Sequence, residues 1–364
     1  MKRAIVATQF STTLAIVAFL ASAACLAAET PTFSIKELSN VSGGSAAYST
    51  GINNAGEVVG VVESTDCPFG CAAIWRDGVP TLLDDEGENV STAYSINNSG
   101  QVSGSIGTTD FNQQAVIWIN GTLTVLPPPG PQYDETFGFS LNESGEVVGA
   151  SIGQVGTADS ATVWHGSTPT VLGLPTGFTS SGAAGINSKG LVVGSVCCVG
   201  TVPEAVVWHG TTPTLLPRVS TGASVGGEAV AVNNSDLVVG YIYNDSGLQH
   251  AAAWANGAVT DLGTLATGTR SSATAVNAHG IIVGESDTVG AAEMHAALWS
   301  GTNAKPQDLN ALISGAAASE ILLLEATAIN ESCKIVVSGA NRKTGAENVY
   351  LLTLVDASNC VNGL

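Results

Sequence analysis

The sequence predicts an all-β protein built from copies of one four-stranded unit, and three observations carry that expectation. A nine-residue phrase recurs along the chain, from "INNAGEVVG" at 52–60 to "VNAHGIIVG" at 276–284. The composition, with 43 Gly and only 11% charged residues, suits short strands and tight turns rather than long exposed helices. Six Trp (Trp75, Trp118, Trp164, Trp208, Trp254 and Trp299) follow the phrase once per copy at a near-constant offset.

The phrase itself comes first. Its opening apolar residue is Ile52, Ile96, Leu141, Ile186, Val232, Val276 or Ile329, with successive spacings of 44, 45, 45, 46, 44 and 53. An Asn follows in every copy: Asn53, Asn97, Asn142, Asn187, Asn233, Asn277 and Asn330. Three residues later stands Gly, replaced by Asp236 and Cys333 in two copies. Asn-x-x-Gly is a turn in which Asn bonds the local backbone and Gly takes a positive φ. These seven Asn are therefore expected to be structural, and ion or hydroxyl binding by a ring of them is the lesser reading.

The flanking segments read as strands. Positions one and three before the anchor are small in all seven copies, as in Ala275 and Ala273, so a neighbouring sheet can approach closely. After the turn comes a Val-rich strand such as EVVGVVES, then a variable loop, then a strand ending in Trp: AAIW, AVIW, ATVW, AVVW, AAAW or AALW. A tight turn such as Asp77-Gly78 or Asn120-Gly121 leads into a fourth strand such as VPTLL. Four antiparallel strands in about 45 residues describe one blade of a β-propeller. The seventh copy lacks a fourth strand, while FSIKEL at 33–38 is an orphan that would supply it and remove an exposed edge. The expected fold is a seven-bladed β-propeller closed by this N-terminal strand, with six blades as the alternative. One Trp per blade at a fixed place is expected to pack between blades rather than stack on a sugar.

These copies resemble the HAF repeat of extracellular bacterial proteins. The likeness lies in the Ala-rich strand, the Asn-x-x-Gly turn, Val-Val-Gly, and the Trp before a Gly turn, and it covers nearly all of the chain beyond its first segment. His250-Ala251 and His295-Ala296 keep the pair that opens the family's name, but Ala252 and Ala297 stand where Phe is expected. Other copies place Cys71, Gln114, Ser160 or Glu204 at the His position. The resemblance implies an exported repeat protein and lends no catalytic residues.

Compartment follows from the first 28 residues. Lys2 and Arg3, an apolar stretch from Leu14 to Leu20 and small residues before Glu29 read as a signal peptide cleaved near Ala28. Cys25 is the competing lipid-attachment site, although Ser22 suits that role poorly. The expected organisation is a leader at 1–28, one propeller at 29–355 and a tail at 356–364. The apolar core of the leader is too short for a membrane span, so no transmembrane segment is expected. Removing the leader leaves nine basic against 30 acidic residues, a balance that repels phosphate backbones and excludes nucleic acid. Six Cys then remain, an even count that favours disulfides in an exported protein. Locality pairs Cys67 with Cys71 and Cys333 with Cys360, leaving adjacent Cys197 and Cys198 either as a vicinal ring or as thiols.

Chemistry is sparse. G-x-S-x-G occurs around Ser151 and Ser224, but in Gly/Ser-rich strands or loops rather than on a strand-to-helix elbow. The five His show no metal spacing, and no catalytic residue, cofactor site or metal ligand is assigned. Glu228 and Glu325 are the acidic exceptions among small and apolar inner strands. The loops after the Val-rich strand vary most, and specificity resides in such loops. Phe69, Phe111, Tyr133, Tyr241 and Tyr243 are the aromatic candidates there. The expected protein is a periplasmic, cell-surface or extracellular monomer, non-catalytic, whose loop face binds a protein or polysaccharide. A secreted glycan hydrolase or lyase using channel carboxylates and a purely structural surface protein are the alternatives.

Overall fold

Runs of four to nine residues with alternating small and apolar side chains form the strands, and Asn, Asp and Gly punctuate them. The computed structural model describes residues 32–362, apart from 42–43, 45, 66, 89, 108–111, 198–201, 221–225, 289–292 and 316. Among these residues, 28 strands form seven four-stranded antiparallel sheets, the blades of a seven-bladed propeller. Blade 1 shows the pattern: Ala46–Ile52 innermost, then Val58–Glu63, Cys71–Arg76 and Val79–Leu82 at the rim.

Blade 7 is assembled from both ends of the chain. Ile321–Ile329, Ile335–Asn341 and Glu347–Leu354 supply three strands, and Phe33–Glu37 pairs antiparallel with the last, from Phe33↔Leu354 to Glu37↔Tyr350. The orphan strand thus closes the ring. The long 53-residue spacing before blade 7 also has a cause. The outer strand of blade 6 is cut to Gln307–Asp308, after which the chain forms two short helices, Leu309–Leu312 and Ala317–Glu320. Ile313 bridges Phe33 and the Ser314 amide donates to the Phe33 carbonyl at 3.3 Å, so this insertion clamps the closing strand.

The core lies between blades. Val59, Ile74, Ala93, Ile96, Val116 and Trp118, for example, come from blades 1 and 2 and bury one interface. All six Trp are at most 3% exposed. Each indole Nε1 donates to a carbonyl that ends the preceding blade, as in Trp75 to Ser39 (2.8 Å), Trp164 to Pro127 (2.8 Å) and Trp299 to Leu262 (2.9 Å). Stacking on a sugar is thereby excluded for them. Close approach within a blade explains the Gly of Val-Val-Gly: a Cβ on Gly60 would sit 2.1 Å from the Tyr48 carbonyl, and on Gly284 2.0 Å from that of Ser272. That carbonyl leans in because every inner strand carries a register shift beside it, for instance between Ser49 and Gly51.

The expected disulfides Cys67–Cys71 and Cys333–Cys360 are both present. The second ties a short C-terminal helix, Ser358–Asn362, to the turn of blade 7. Cys333 holds the turn's left-handed position at φ 54°, where most blades have Gly. Cys197 is a free thiol, and Cys198 lies outside the described residues. No helix among the described residues is long and apolar enough to cross a membrane.

Candidate functional site

The two ends of the ring differ in construction. At one, the turn end, the Asn-x-x-Gly turns meet. Asn53 Nδ2 donates to the Asn97 carbonyl (3.3 Å), Asn97 to Asn142 (3.0 Å), Asn142 to Asn187 (3.4 Å) and Asn187 to Asn233 (3.0 Å). Asn233 continues to Asn277 (2.9 Å), Asn277 to Asn330 (3.2 Å), and Asn330 returns to Asn53 (3.0 Å). The circuit is closed. Each Oδ1 also accepts backbone amides of its own turn, as Asn187 does from Lys189 and Leu191 at 3.0 Å. All seven Asn are buried with both ends of the amide occupied, so they hold blades together and present nothing to a ligand.

At the loop end, the strand-connecting segments differ from blade to blade. Phe69 sits at the tip of the loop stapled by Cys67–Cys71 and is 66% exposed. Val155 of blade 3 is fully exposed. Phe111 lies outside the described residues. Tyr133, Tyr241 and Tyr243 are not loop residues, because the strands run further than the sequence pattern shows. Tyr133 opens the inner strand Tyr133–Leu141, and its hydroxyl shares a 2.9 Å bond with Ser160 of the same blade. Tyr241 and Tyr243 belong to Val238–Tyr243 and pack edge to face at 5.7 Å.

Between the two ends runs the central channel, about 620 Å³ in volume and lined by the seven inner strands. The register shift leaves one residue of each inner strand unpaired, two positions before the anchor. In blades 1, 6 and 7 this residue is Thr, and its hydroxyl straps strands or blades together, as Thr50 does to the Ala93 carbonyl at 2.7 Å. In blades 2 and 3 it is Tyr94 and Phe139, which line the channel and meet edge to face at 5.2 Å, with Phe137 stacked on Phe139 at 5.7 Å. Tyr48 lines the channel nearer the loop end and is 46% exposed.

Three carboxylates stand on the first and second strands of blades 5–7. Glu325 of blade 7 lines the channel, and burial raises its carboxyl above the usual range. Glu285, on the second strand of blade 6, is pushed up to about 7 by burial and then by the charge of Glu325. Glu228 of blade 5 pairs across strands with Tyr241, whose phenol is raised by burial and then by that carboxylate. Sequence reasoning singled out Glu228 and Glu325 but missed Glu285, Tyr48, Tyr94 and Phe139. A signal for two of them existed: a large aromatic between two invariably small positions of the inner strand.

The remaining candidates resolve into structure. His250 Nδ1 lies 2.9 Å from Asp261, and His295 Nδ1 lies 2.7 Å from Asp308. Each Asp comes from the outer strand of the same blade, and in blades 1–4 its place is taken by apolar Leu82, Val125, Val171 and Leu215. The repeated His is thus an in-blade partner of Asp. Among the described residues no three His, Cys, Asp or Glu group to hold a metal. Ser151 lies within the strand Val147–Gly153, where its hydroxyl shares a 2.8 Å bond with Thr162, and no nucleophile elbow exists there. Ser224 lies outside the described residues.

No family model and no curated protein matches the chain. Solved structures do share its fold. The β-propeller domain of the Trilobed protease from Pyrococcus furiosus, described as having an open velcro topology, matches with a TM-score of 0.55 at 9% identity over 85% of this chain and 98% of that one. Acylaminoacyl peptidase from Pyrococcus horikoshii matches with a TM-score of 0.55 at 11% identity over 86% of this chain and 53% of that one. A puromycin-hydrolyzing peptidase from Mycobacterium tuberculosis gives 0.51 at 11% identity over 84% and 52%. The chain therefore spans about half the length of these two peptidases. At such identities the likeness concerns the fold alone.

Proposed function

We propose that this chain is an exported, non-catalytic binding protein of the HAF-repeat type that takes a polysaccharide or protein ligand at its loop end. The observation that carries the reading is the asymmetry of the ring. The turn end has its side chains spent on one another in a closed circuit. The loop end carries blade-specific segments, a stapled and exposed Phe69, and the half-exposed Tyr48 of the channel. A rigid scaffold presenting varied loops at one end is the arrangement of a recognition surface. The two disulfides accord with an oxidising, exported location.

Glycan hydrolysis draws less support from the channel. An acid–base pair needs environments that hold one carboxyl protonated and the other ionised. Here both Glu285 and Glu325 are pushed in the same direction, upward. The test is to incubate the purified protein with a panel of bacterial and plant polysaccharides, scoring retained protein and released sugar together, beside a pull-down from cell-surface extract. Retention without release, weakened by Phe69→Ala, is the expected outcome. Released sugar would overturn the non-catalytic reading.

A further inference from the structure

The central channel offers two kinds of surface side by side. One is aromatic. Tyr94 meets Phe139 edge to face at 5.2 Å, and Phe137 stacks on Phe139 with 12° between their planes, so these rings hold one another in place before any ligand arrives. Tyr48 continues the aromatic wall toward the loop end, where it is 46% exposed. At about 620 Å³, the channel falls within the roughly 300–1,000 Å³ of small-ligand sites.

The other surface is hydroxylic. Several inner-strand hydroxyls are spent within the ring, as Thr274 is on the Ala326 carbonyl at 2.5 Å and Ser49 on Thr327 at 3.0 Å. Tyr94, Ser95, Ser140 and Ser338 line the channel too, yet among the described residues their hydroxyls have no hydrogen-bond partner. Ser95 directly follows Tyr94 and Ser140 directly follows Phe139. That pairing of ring and hydroxyl breaks the repeat in blades 2 and 3 only. The same two positions read Thr50-Gly51, Ala184-Gly185, Val230-Ala231, Thr274-Ala275 and Thr327-Ala328 in the other blades.

These surfaces select among ligands. An apolar side chain would cover the rings but strip the hydroxyls of water without replacing its bonds. An anion finds no base in the described lining, and the single acid there, Glu325, is pushed by burial toward its neutral form and draws cations weakly. A neutral pyranose meets both surfaces, with its C–H face against a ring and its hydroxyls exchanging hydrogen bonds at the edge.

We propose that the channel is a sugar subsite, in which a neutral pyranose stacks against Tyr94 and Phe139 and hydrogen-bonds Ser95 and Ser140. The inference rests on the reading of this protein as a binding propeller and deepens it. Of the two ligand classes open to the loop end it selects a polysaccharide, whose chain end enters the channel past Tyr48.

A glycan array of neutral oligosaccharides and their uronate-bearing counterparts, probed with the purified full chain, tests the proposal, and calorimetric titration with the strongest neutral binder measures affinity. Binding of neutral glycans is expected. It should weaken about tenfold in Tyr94→Ala and Phe139→Ala, and about two- to tenfold in Ser95→Ala/Ser140→Ala. Melting curves verify the folds, and Phe139→Leu removes the ring while filling most of its space, so weaker binding by that variant reads the ring itself. Binding of no neutral glycan, or affinity unchanged in Tyr94→Ala and Phe139→Leu, would overturn the proposal. Retention assays on the same variants separate the two ideas. Polysaccharide retained normally by the channel variants but lost in Phe69→Ala removes this inference alone, as does a protein partner retained with no glycan bound. Absence of any retained partner removes the binding reading as well.

Discussion

The turn end and the loop end of the ring are made by the same strands, yet they obey opposite rules. At the turn end each blade must offer its neighbour the same donor and the same acceptor, because a circuit of seven bonds closes only if every member matches. Variation is permitted there only where the backbone geometry is kept, as at Asp236 and Cys333, both in the left-handed position. At the loop end no blade has to match its neighbour, and the segments that carry the exposed Phe69 and Val155 differ in sequence. Repetition therefore marks interfaces between blades, and its absence marks surface available for recognition.

Four measurements would sharpen or break this contrast. The largest effect is expected from deleting residues 31–38. That removes the strand paired with Glu347–Leu354 and the fully buried Phe33, a loss of at least about 5 kcal/mol. Thermal melting reads it, and a truncated protein that melts like the intact one would refute closure by this strand.

Breaking the circuit at one point comes next. Asn187→Ala takes one of two donors from the Asn233 carbonyl and leaves two turn amides of blade 4 without their partner, which should cost about 2–3 kcal/mol. Denaturant unfolding measures the loss, and an effect below about 0.5 kcal/mol would show the circuit to be ornamental.

A smaller effect of opposite sign is expected in the channel. The Glu285 carboxyl is raised from 4.5 to about 7 in the folded state, so the fold binds this proton more tightly than the unfolded chain does. Stability contributed by that proton is full below about 4.5, falls as pH rises through about 7, and is gone above. Glu285→Gln should therefore stabilise the protein by about 1–2 kcal/mol at pH 8, after allowance for partial solvation, and leave it unchanged at pH 4. Equal effects at both pH values would show that burial, not ionisation, is what Gln changes. Least of all, Val155→Ser at the loop end should alter stability by less than about 0.5 kcal/mol, since the side chain is fully exposed. A loss comparable with that of Asn187→Ala would erase the distinction between the ends.

Much of this was legible in the sequence because it repeats. The seven Asn, the six Trp and the orphan strand at 33–37 were placed by period alone, since a side chain in a repeat finds the same neighbour in every copy. The expected disulfides followed from locality, each joining residues near one another in the chain. The channel was legible only in part. Glu325 stood out as an acid on an inner strand, but Glu285 sits on the second strand, where nothing in its own segment points to the axis. Tyr241 and Tyr243 read as loop residues because their strand runs on three residues beyond the Val-Val-Gly core.

The sequence by itself determined the repeat, the order of strands within each blade and the strand that closes the ring, while the structure decided seven blades over six. These are local consequences of turn chemistry and period, repeated until the last edge meets the first strand. Only the tertiary structure decided that the charge of Glu325 reaches Glu285 on the preceding blade and that Tyr94 and Phe139 meet edge to face in one channel. Those pairs are 40 and 45 residues apart and meet only once seven sheets stand around a common axis.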